Sequence, residues 1–499
     1  MINDITLKFG SSISQENLKT DLTPITIFVG PNNSGKSKLL HEIELFCKKG
    51  ELPTSNVILQ DVNFCDIEDI ESKIELHTLP PIDNENIKPD EIMFGNAGTR
   101  NKVNRNVLSS WFASPNSVKT NICYYYLKLN TLSIFGSNRT NLVNNQQGGN
   151  LKALPTNPLQ VLFQNNKKRF EVRRIIFDAF NKYFVVDPTN LGQLSINLSD
   201  VPPTEEMEEK GIHDDAVKFH KKALNIKDAS DGVKAFTGII TTIIAGDPEI
   251  MIIDEPEAFL HPSLSFKLGK EIGNTYNGRS RKLFASTHSS NFLMGLIQSG
   301  APINIIRLTY SNYVPTARIL PSEKVLKLMR HPLLRSTGVL NGLFYEFVIV
   351  TEADTDRAFY QEINERLLTF EPNKGIPNCL FLNAQNKQTI HEILRPLRDM
   401  GIPCIAIVDV DIIKEGGQVW TKLLSSANVP KAIIESTNQL RTSVHNKIKE
   451  CSLNFKTNGG VQILEKAGKE ECNHLFDQLN SYGIIPVRNG ELELSLIHI

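Results

Sequence analysis

At 499 residues the chain has room for two to four domains with separate cores, and 40% hydrophobic with 22% charged residues is ordinary for a globular protein. Lys and Arg number 54 against 55 Asp and Glu, a net charge of −1, so nucleic-acid contact has to come from a local basic face and not from bulk charge. No apolar run approaches the ~18 residues of a membrane span, the first residues lack the apolar core of a signal peptide, and seven scattered cysteines without a C-x-x-C pair argue against a disulfide framework and a zinc module, which suits a reducing cytoplasm.

Residues 1–9 alternate like a strand, and 24–29 form an apolar run. Between that run and the helix-like 38–45 lies Gly30-Pro31-Asn32-Asn33-Ser34-Gly35-Lys36-Ser37, a full G-x-x-x-x-G-K-S sequence in the strand-to-helix context of a P-loop. Gly30 and Gly35 permit the tight turn, and the backbone from Asn32 through Asn33 and Ser34 faces a phosphate chain at the positive end of the following helix. Lys36 then holds the β- and γ-phosphates of ATP and Ser37 its Mg²⁺.

Residues 50–120 are poor in periodicity and rich in Asn, Asp and Pro, and read as an insertion. Residues 123–129 and 131–135 read as strands, followed by a polar turn over 136–140. The Asn/Gln/Gly-rich 141–165 reads as mobile. Lys167-Lys168-Arg169-Phe170-Glu171-Val172-Arg173-Arg174 reads first as a solvated helix face and second as a phosphate-tracking patch. Residues 204–227 read as charged helix, and the lack of a sustained heptad argues against coiled-coil arms.

The run Glu249-Ile250-Met251-Ile252-Ile253-Asp254-Glu255 fits a strand buried on both faces that delivers two acids at its carboxyl end. Asp254 would serve the Mg²⁺ shell and Glu255 would orient or deprotonate the attacking water. Shortly before it comes Ala229-Ser230-Asp231-Gly232-Val233-Lys234, where Ser230 or Asp231 is also a helix N-cap candidate. After it, residues 283–287 form another apolar strand ending at His288.

This order resembles the ATP-binding-cassette ATPases, especially their soluble SMC-like branch. The resemblance implies that Ser230 and Gly232 of one subunit cover the γ-phosphate bound by another, giving a homodimer or higher homo-oligomer through the ATPase domain, and that His288 senses that phosphate. The first stretch departs from the usual signature, with Ala229 for Leu and Asp231 for a small residue. The family's glutamine has four candidates of equal standing: Gln146, Gln147, Gln160 and Gln164.

Beyond about residue 320 the pattern changes. A connector over 321–344 precedes a domain from 345 to 499, in which a strand ends at Glu352, a helix begins at Asp354 with Asp356 one turn beyond Glu352, and strand, helix and strand follow to Asp409 and Asp411. The alternation is βαβαβ. Two carboxylates about 4 Å apart repel by about 4 kcal/mol at an effective dielectric of 20, so Glu352, Asp409 and Asp411 need cations, and hard oxygen ligands suit Mg²⁺ or Mn²⁺. Asp409 and Asp411 are expected on one side of an extended strand.

A glutamate strand followed by a D-x-D strand resembles the Toprim domain. Placed after a cassette ATPase, with Glu352-Ala353-Asp354-Thr355-Asp356 close to E-G-x-x-[DE] and Gly490-Glu491-Leu492-Glu493 matching G-x-L-E, the chain resembles the OLD (overcoming lysogenization defect) nucleases, among them the large subunit of Gabija phage defence and retron-associated effectors. The fold implied is α/β: an ABC/SMC-like P-loop ATPase domain over 1–320, then a smaller Toprim domain with a parallel sheet. The resemblance implies a two-metal endonuclease in antiviral defence, with Glu352, Asp409 and Asp411 on metal, Asp356 and Glu493 completing the second site, DNA in preference to RNA as substrate, and a helicase or reverse transcriptase as partner. Relatives continue past the G-x-L-E motif, so the ending at Ile499 reads as a truncation or a non-native tail. The alternatives are an SMC-like DNA-binding repair ATPase that does not cut, and a Toprim primase. No tyrosine close to the metal acids in sequence suggests the covalent topoisomerase route.

Overall fold

The computed structural model describes residues 1–490 except 13–14, 68, 83–84, 97, 321, 333, 335–336 and 452; Glu493 lies outside the described residues, as do parts of the 321–344 connector. The chain divides into two compact units, one of Met1–Val29 and Asn33–Ser322, the other of Gly30–Asn32 and Glu323–Ile499.

The first unit is built on a six-stranded sheet in the order Val314–Leu320, Ile303–Ser311, Ile25–Val29, Lys282–Ser286, Ile250–Asp254 and Thr131–Ile134. All neighbours are parallel except the first pair, which is a hairpin. Every residue of Ile25–Val29 and the first four of Ile250–Asp254 are buried, the condition of strands covered on both faces. Each such aliphatic side chain contributes about 1.5–3 kcal/mol, so these two strands anchor the sheet whose carboxyl ends carry the P-loop and the two acids. Helix Lys36–Lys49 follows the first strand, and helix Asp231–Gly246, buried from Ala235 to Ala245, precedes the second. Three smaller antiparallel sheets flank this core.

Two expectations are corrected. Residues 123–129 are not a strand: helical turns run through Lys119–Ile122, Cys123–Leu127 and Lys128–Asn130. Ile122, Cys123, Tyr126 and Leu127 are the buried residues, a spacing that one helix face presents to a core, and this burial overrides the strand preference of three consecutive tyrosines. The 141–165 stretch, expected to be mobile, carries a 3₁₀ turn at Thr140–Val143, a strand Gln146–Gln147 paired with Gln193 and Leu194, and a helix Pro158–Gln164 that buries Leu159 and Leu162.

The second unit holds a four-stranded, fully parallel sheet in the order Cys379–Asn383, Phe347–Thr351, Cys404–Asp409 and Ile484–Val487. Helix Asp354–Phe370 joins the second-placed strand to the first, and helix Ile390–Asp399 returns the chain to the third. The fourth strand is too short for an alternating pattern to reveal. Among the described residues no helix is long and apolar enough to cross a membrane, and all seven cysteines are unpaired.

Candidate nucleotide and metal sites

The P-loop turn requires left-handed backbone at Gly30 (φ 145), Asn33 (φ 61) and Gly35 (φ 93), a region glycine and asparagine enter most readily. At Gly35 there is a second constraint, because a Cβ would stand 2.7 Å from Ile58 Cδ1. Ile58 is fixed in turn by Glu42, a buried acid of the P-loop helix whose carboxylate accepts from the N–H groups of Val57, Ile58 and Leu59 at 2.9, 3.1 and 2.7 Å. Lys36 is 5% exposed, and its Nζ donates to Ser34 Oγ at 3.3 Å. Burial lowers its ammonium to about 8, against the pull of Glu255, Asp254 and Glu257.

The acidic strand reaches the same place. Ser37 Oγ donates to Asp254 Oδ1 at 3.0 Å, and Ser286 Oγ bonds the same oxygen, so two hydroxyls and a carboxylate converge as a hard oxygen set suited to Mg²⁺. Glu255 lies at φ 50 and is held there because its N–H donates to Ser286 O at 3.2 Å and Ser286 Oγ at 3.1 Å. His288 Nε2 stands 3.4 Å from Glu255 Oε1. Burial and the neighbouring Lys36 lower the imidazole to about 4, so it is neutral near pH 7. The His288 N–H donates to Glu257 Oε1 at 2.8 Å, and burial holds the Glu257 carboxyl above the usual carboxylate range.

Sequence reasoning missed Arg139. It was read as part of a polar turn, yet it is 1% exposed, its Nη2 donates to the Asp254 carbonyl, and its charge is felt by Glu257, Glu255 and Asp254. It follows the Thr131–Ile134 strand, which pairs with the acidic strand. A basic residue just past the end of that neighbouring strand was the available signal. The glutamine candidates have structural duties: Gln146 and Gln147 pair in a strand, Gln146 Oε1 accepts from Leu159 N–H, and Gln160 bonds Thr156 and Gln147 O; Gln164 closes the helix Pro158–Gln164. Ser230 is the N-cap position of the helix Asp231–Gly246 but makes no side-chain capping bond, leaving its hydroxyl without that local duty. The basic run 167–174 turns inward: Arg169 and Arg173 pair with Glu209, Arg174 with Asp178 and Glu271, and Lys168 donates to Ala245 O. Both readings are corrected for Arg169 and Arg173, whose charges are spent on the buried Glu209 inside the fold, while Lys167 and Arg174 remain on the exposed face.

In the second unit, Glu352, Asp409 and Asp411 bring carboxylate oxygens within 4.8 Å of one another. The strand ends at Asp409, and Asp411 lies in the 3₁₀ turn Val410–Lys414, so the expected pair on one extended strand is corrected to a strand end and a turn. The turn still returns Asp411 toward Glu352. The Asp409 N–H donates to Glu352 Oε1 at 2.8 Å. Burial, with the Asp409 and Asp411 charges, raises the Glu352 carboxyl to about 7. Lys456 Nζ lies 2.7 Å from Asp409 Oδ2 and Lys387 Nζ 3.0 Å from Asp411 Oδ2, while Asp411 Oδ1 is buried with no hydrogen-bond partner. An orphaned buried carboxylate oxygen beside two further acids fits a divalent cation.

Asp356 does not join this cluster; its Oδ2 accepts from the Ala353 N–H at 3.1 Å and caps the helix Asp354–Phe370. Lys387, Lys456 and Tyr360 escaped the sequence reading, being remote from the acids or hidden in a helical pattern. Burial and the charges of Asp356 and Asp409 push the Tyr360 phenol up to about 12, which keeps it protonated and a poor nucleophile.

A family model described as "AAA domain, putative AbiEii toxin, Type IV TA system" matches residues 25–294, and one described as "Overcoming lysogenization defect protein-like, TOPRIM domain" matches residues 343–411. Curated proteins give no match. Among solved structures, the chain is similar to the SmcHead bound to the C-winged helix domain of ScpA, at 13% identity over 65% of this chain and 99% of that one, with a TM-score of 0.36. It is also similar to the SMC head domain from Thermotoga maritima, at 12% over 64% and 99% with 0.31. A third is the Pyrococcus furiosus Smc head domain with an extended coiled coil, at 13% over 66% and 98% with 0.33.

Proposed function

Because the chain belongs to the OLD family of ATPase–Toprim fusions, an α/β P-loop ATPase domain followed by a smaller Toprim domain with a parallel sheet, we propose that its ATPase domain is of the ABC/SMC type, that it hydrolyses ATP and that it is a divalent-metal-dependent endonuclease. At the nucleotide site, Lys36 and the N–H groups of the 30–37 turn bind the phosphates, Ser37 and Asp254 hold Mg²⁺, and Glu255 orients the water and takes its proton. Neutral His288 keeps that carboxylate aimed. Ser230 and Gly232 serve the phosphate of a second copy in a two-fold dimer.

The observation that carries the nuclease reading is the convergence of Glu352, Asp409 and Asp411, with one buried oxygen of Asp411 unpartnered. These residues hold Mg²⁺ or Mn²⁺, with Glu493 a further candidate ligand and Asp356 confined to orienting the Glu352 turn. Cations bound there supply an activated water and charge for the leaving oxygen of a phosphodiester. DNA is the proposed substrate, antiphage defence the proposed setting, and a helicase or reverse transcriptase the proposed partner.

The test is cleavage of DNA and RNA with Mg²⁺ or Mn²⁺, alongside ATP hydrolysis. Asp409→Ala is expected to abolish cleavage and leave ATP turnover within about twofold of wild type, whereas Lys36→Ala weakens ATP binding. Cleavage at the wild-type rate by Asp409→Ala overturns the Toprim assignment, and incorporation of labelled nucleotide without cleavage would favour a primase. For the dimer, light scattering of Glu255→Gln with ATP is expected to show a doubled mass; a monomer refutes it.

A further inference from the structure

Gly232 is the second residue of the helix Asp231–Gly246, and a Cβ on it would stand 2.8 Å from the carbonyl oxygen of Phe259. That carbonyl belongs to the segment leaving the acidic strand, in which Glu255 (φ 50) and Phe259 (φ 69) both occupy left-handed backbone. Non-glycine residues remain there only where their surroundings over-determine them. At one end the segment is held by the Glu255 N–H on Ser286. Two interlocked turns follow, with Ala258 N–H on Glu255 O at 3.0 Å and Leu260 N–H on Glu257 O at 2.9 Å. Phe259 is 61% exposed, so its ring does little to fix the far end; the bare face of the helix at Gly232 closes on the carbonyl instead.

We propose that Gly232 is a positioning residue for Glu255 of its own chain: the missing side chain sets the path of the 255–259 segment and hence the aim of the Glu255 carboxylate and of Glu257 on the His288 N–H. This deepens the ATPase reading and rests on it. A glycine that only serves phosphate across a dimer would affect the other copy's site; a glycine that seats Phe259 affects its own.

The experiment is steady-state ATP hydrolysis by Gly232→Ala in the full chain. Alanine is the better helix former, so a loss comes either from the displaced carbonyl or from the phosphate of the second copy, and the double variant and the mixed dimers separate the two. The expected result is a fall in kcat of about tenfold or more with KM for ATP within about twofold, because Lys36 and Ser37 are untouched. Adding Phe259→Gly, which tolerates φ 69 without strain and lets the carbonyl move, is expected to recover most of the lost kcat. No loss in Gly232→Ala, a rise of KM in step with the loss, or no recovery in the double variant overturns the proposal.

Mixed dimers supply the second readout. With Lys36→Ala on one copy and Gly232→Ala on the other, the only intact P-loop shares its chain with the altered glycine, and activity is expected to fall well below that of a Lys36→Ala/wild-type dimer; equality with that dimer refutes the same-chain role. Absence of ATP hydrolysis in the wild-type protein removes the ATPase reading and this proposal together, whereas hydrolysis insensitive to Gly232→Ala removes the proposal alone.

Discussion

His288 Nε2 stands 3.4 Å from Glu255 Oε1, and it does so as a neutral imidazole, because burial and Lys36 lower its protonation to about 4. The pair is therefore a carboxylate beside a neutral imidazole, not an ion pair. Glu255→Gln should lower ATP turnover by about 10²–10⁴-fold, the usual contribution of a general base, while ATP remains bound. His288→Asn should cost less. Turnover should show no inflection near the ordinary histidine pKa of about 6.5; an inflection there that disappears in His288→Asn would refute the neutral assignment.

Arg139 lies buried on the Asp254 carbonyl in the field of three acids. Arg139→Ala should lower ATP turnover and destabilise the protein by about 2–3 kcal/mol, since it leaves a cavity and unbalanced negative charge. Arg139→Lys keeps the charge but lacks the planar fork, and should recover little turnover. Thermal unfolding and ATPase assays in parallel check both halves; full activity in Arg139→Lys would count against a geometric role.

The Glu352 carboxyl is raised to about 7, which gives a definite sign to its pH dependence. Without metal, the unfolded chain releases this proton near the ordinary glutamate pKa of about 4.3 and the folded chain only near 7, so between those values the folded state binds more protons and stability falls as pH rises. Glu352→Gln should flatten that slope. A divalent cation competes with the same proton, so Mn²⁺ affinity should strengthen as pH rises to 7 and beyond. Calorimetric titration of Mn²⁺ across pH 5.5–8 checks it, and affinity independent of pH would overturn the ligand assignment.

Lys456 occupies Asp409 Oδ2 at 2.7 Å, an oxygen a bound cation would need. Removing the competing ammonium should raise metal affinity, so Lys456→Met is expected to bind Mn²⁺ severalfold more tightly than wild type, read by titration independently of cleavage. Weaker binding would mean that the lysine orients the carboxylate for metal instead of competing with it.

The sequence by itself determined the parts whose physics is local. The glycine spacing of the P-loop, the four-residue apolar run before Asp254, and strands ending at Glu352 and Asp409 are written in short windows, because a buried parallel strand demands continuous apolar residues and a phosphate turn demands glycine. Those windows were enough to place Lys36, Ser37, Asp254 and Glu255 in one unit and Glu352 and Asp409 in the other. Tertiary structure alone decided what depends on distant partners. Three tyrosines at 124–126 look like strand until a core claims one helix face. Arg139, Lys387 and Lys456 look like surface charges until folding sets them against acids more than twenty residues away. Gly232 looks like a signature glycine until the Phe259 carbonyl closes over it. A side chain's charge and shape are fixed by its own identity, but its duty is set by which buried or unpaired group it meets, and that meeting exists only in the folded chain.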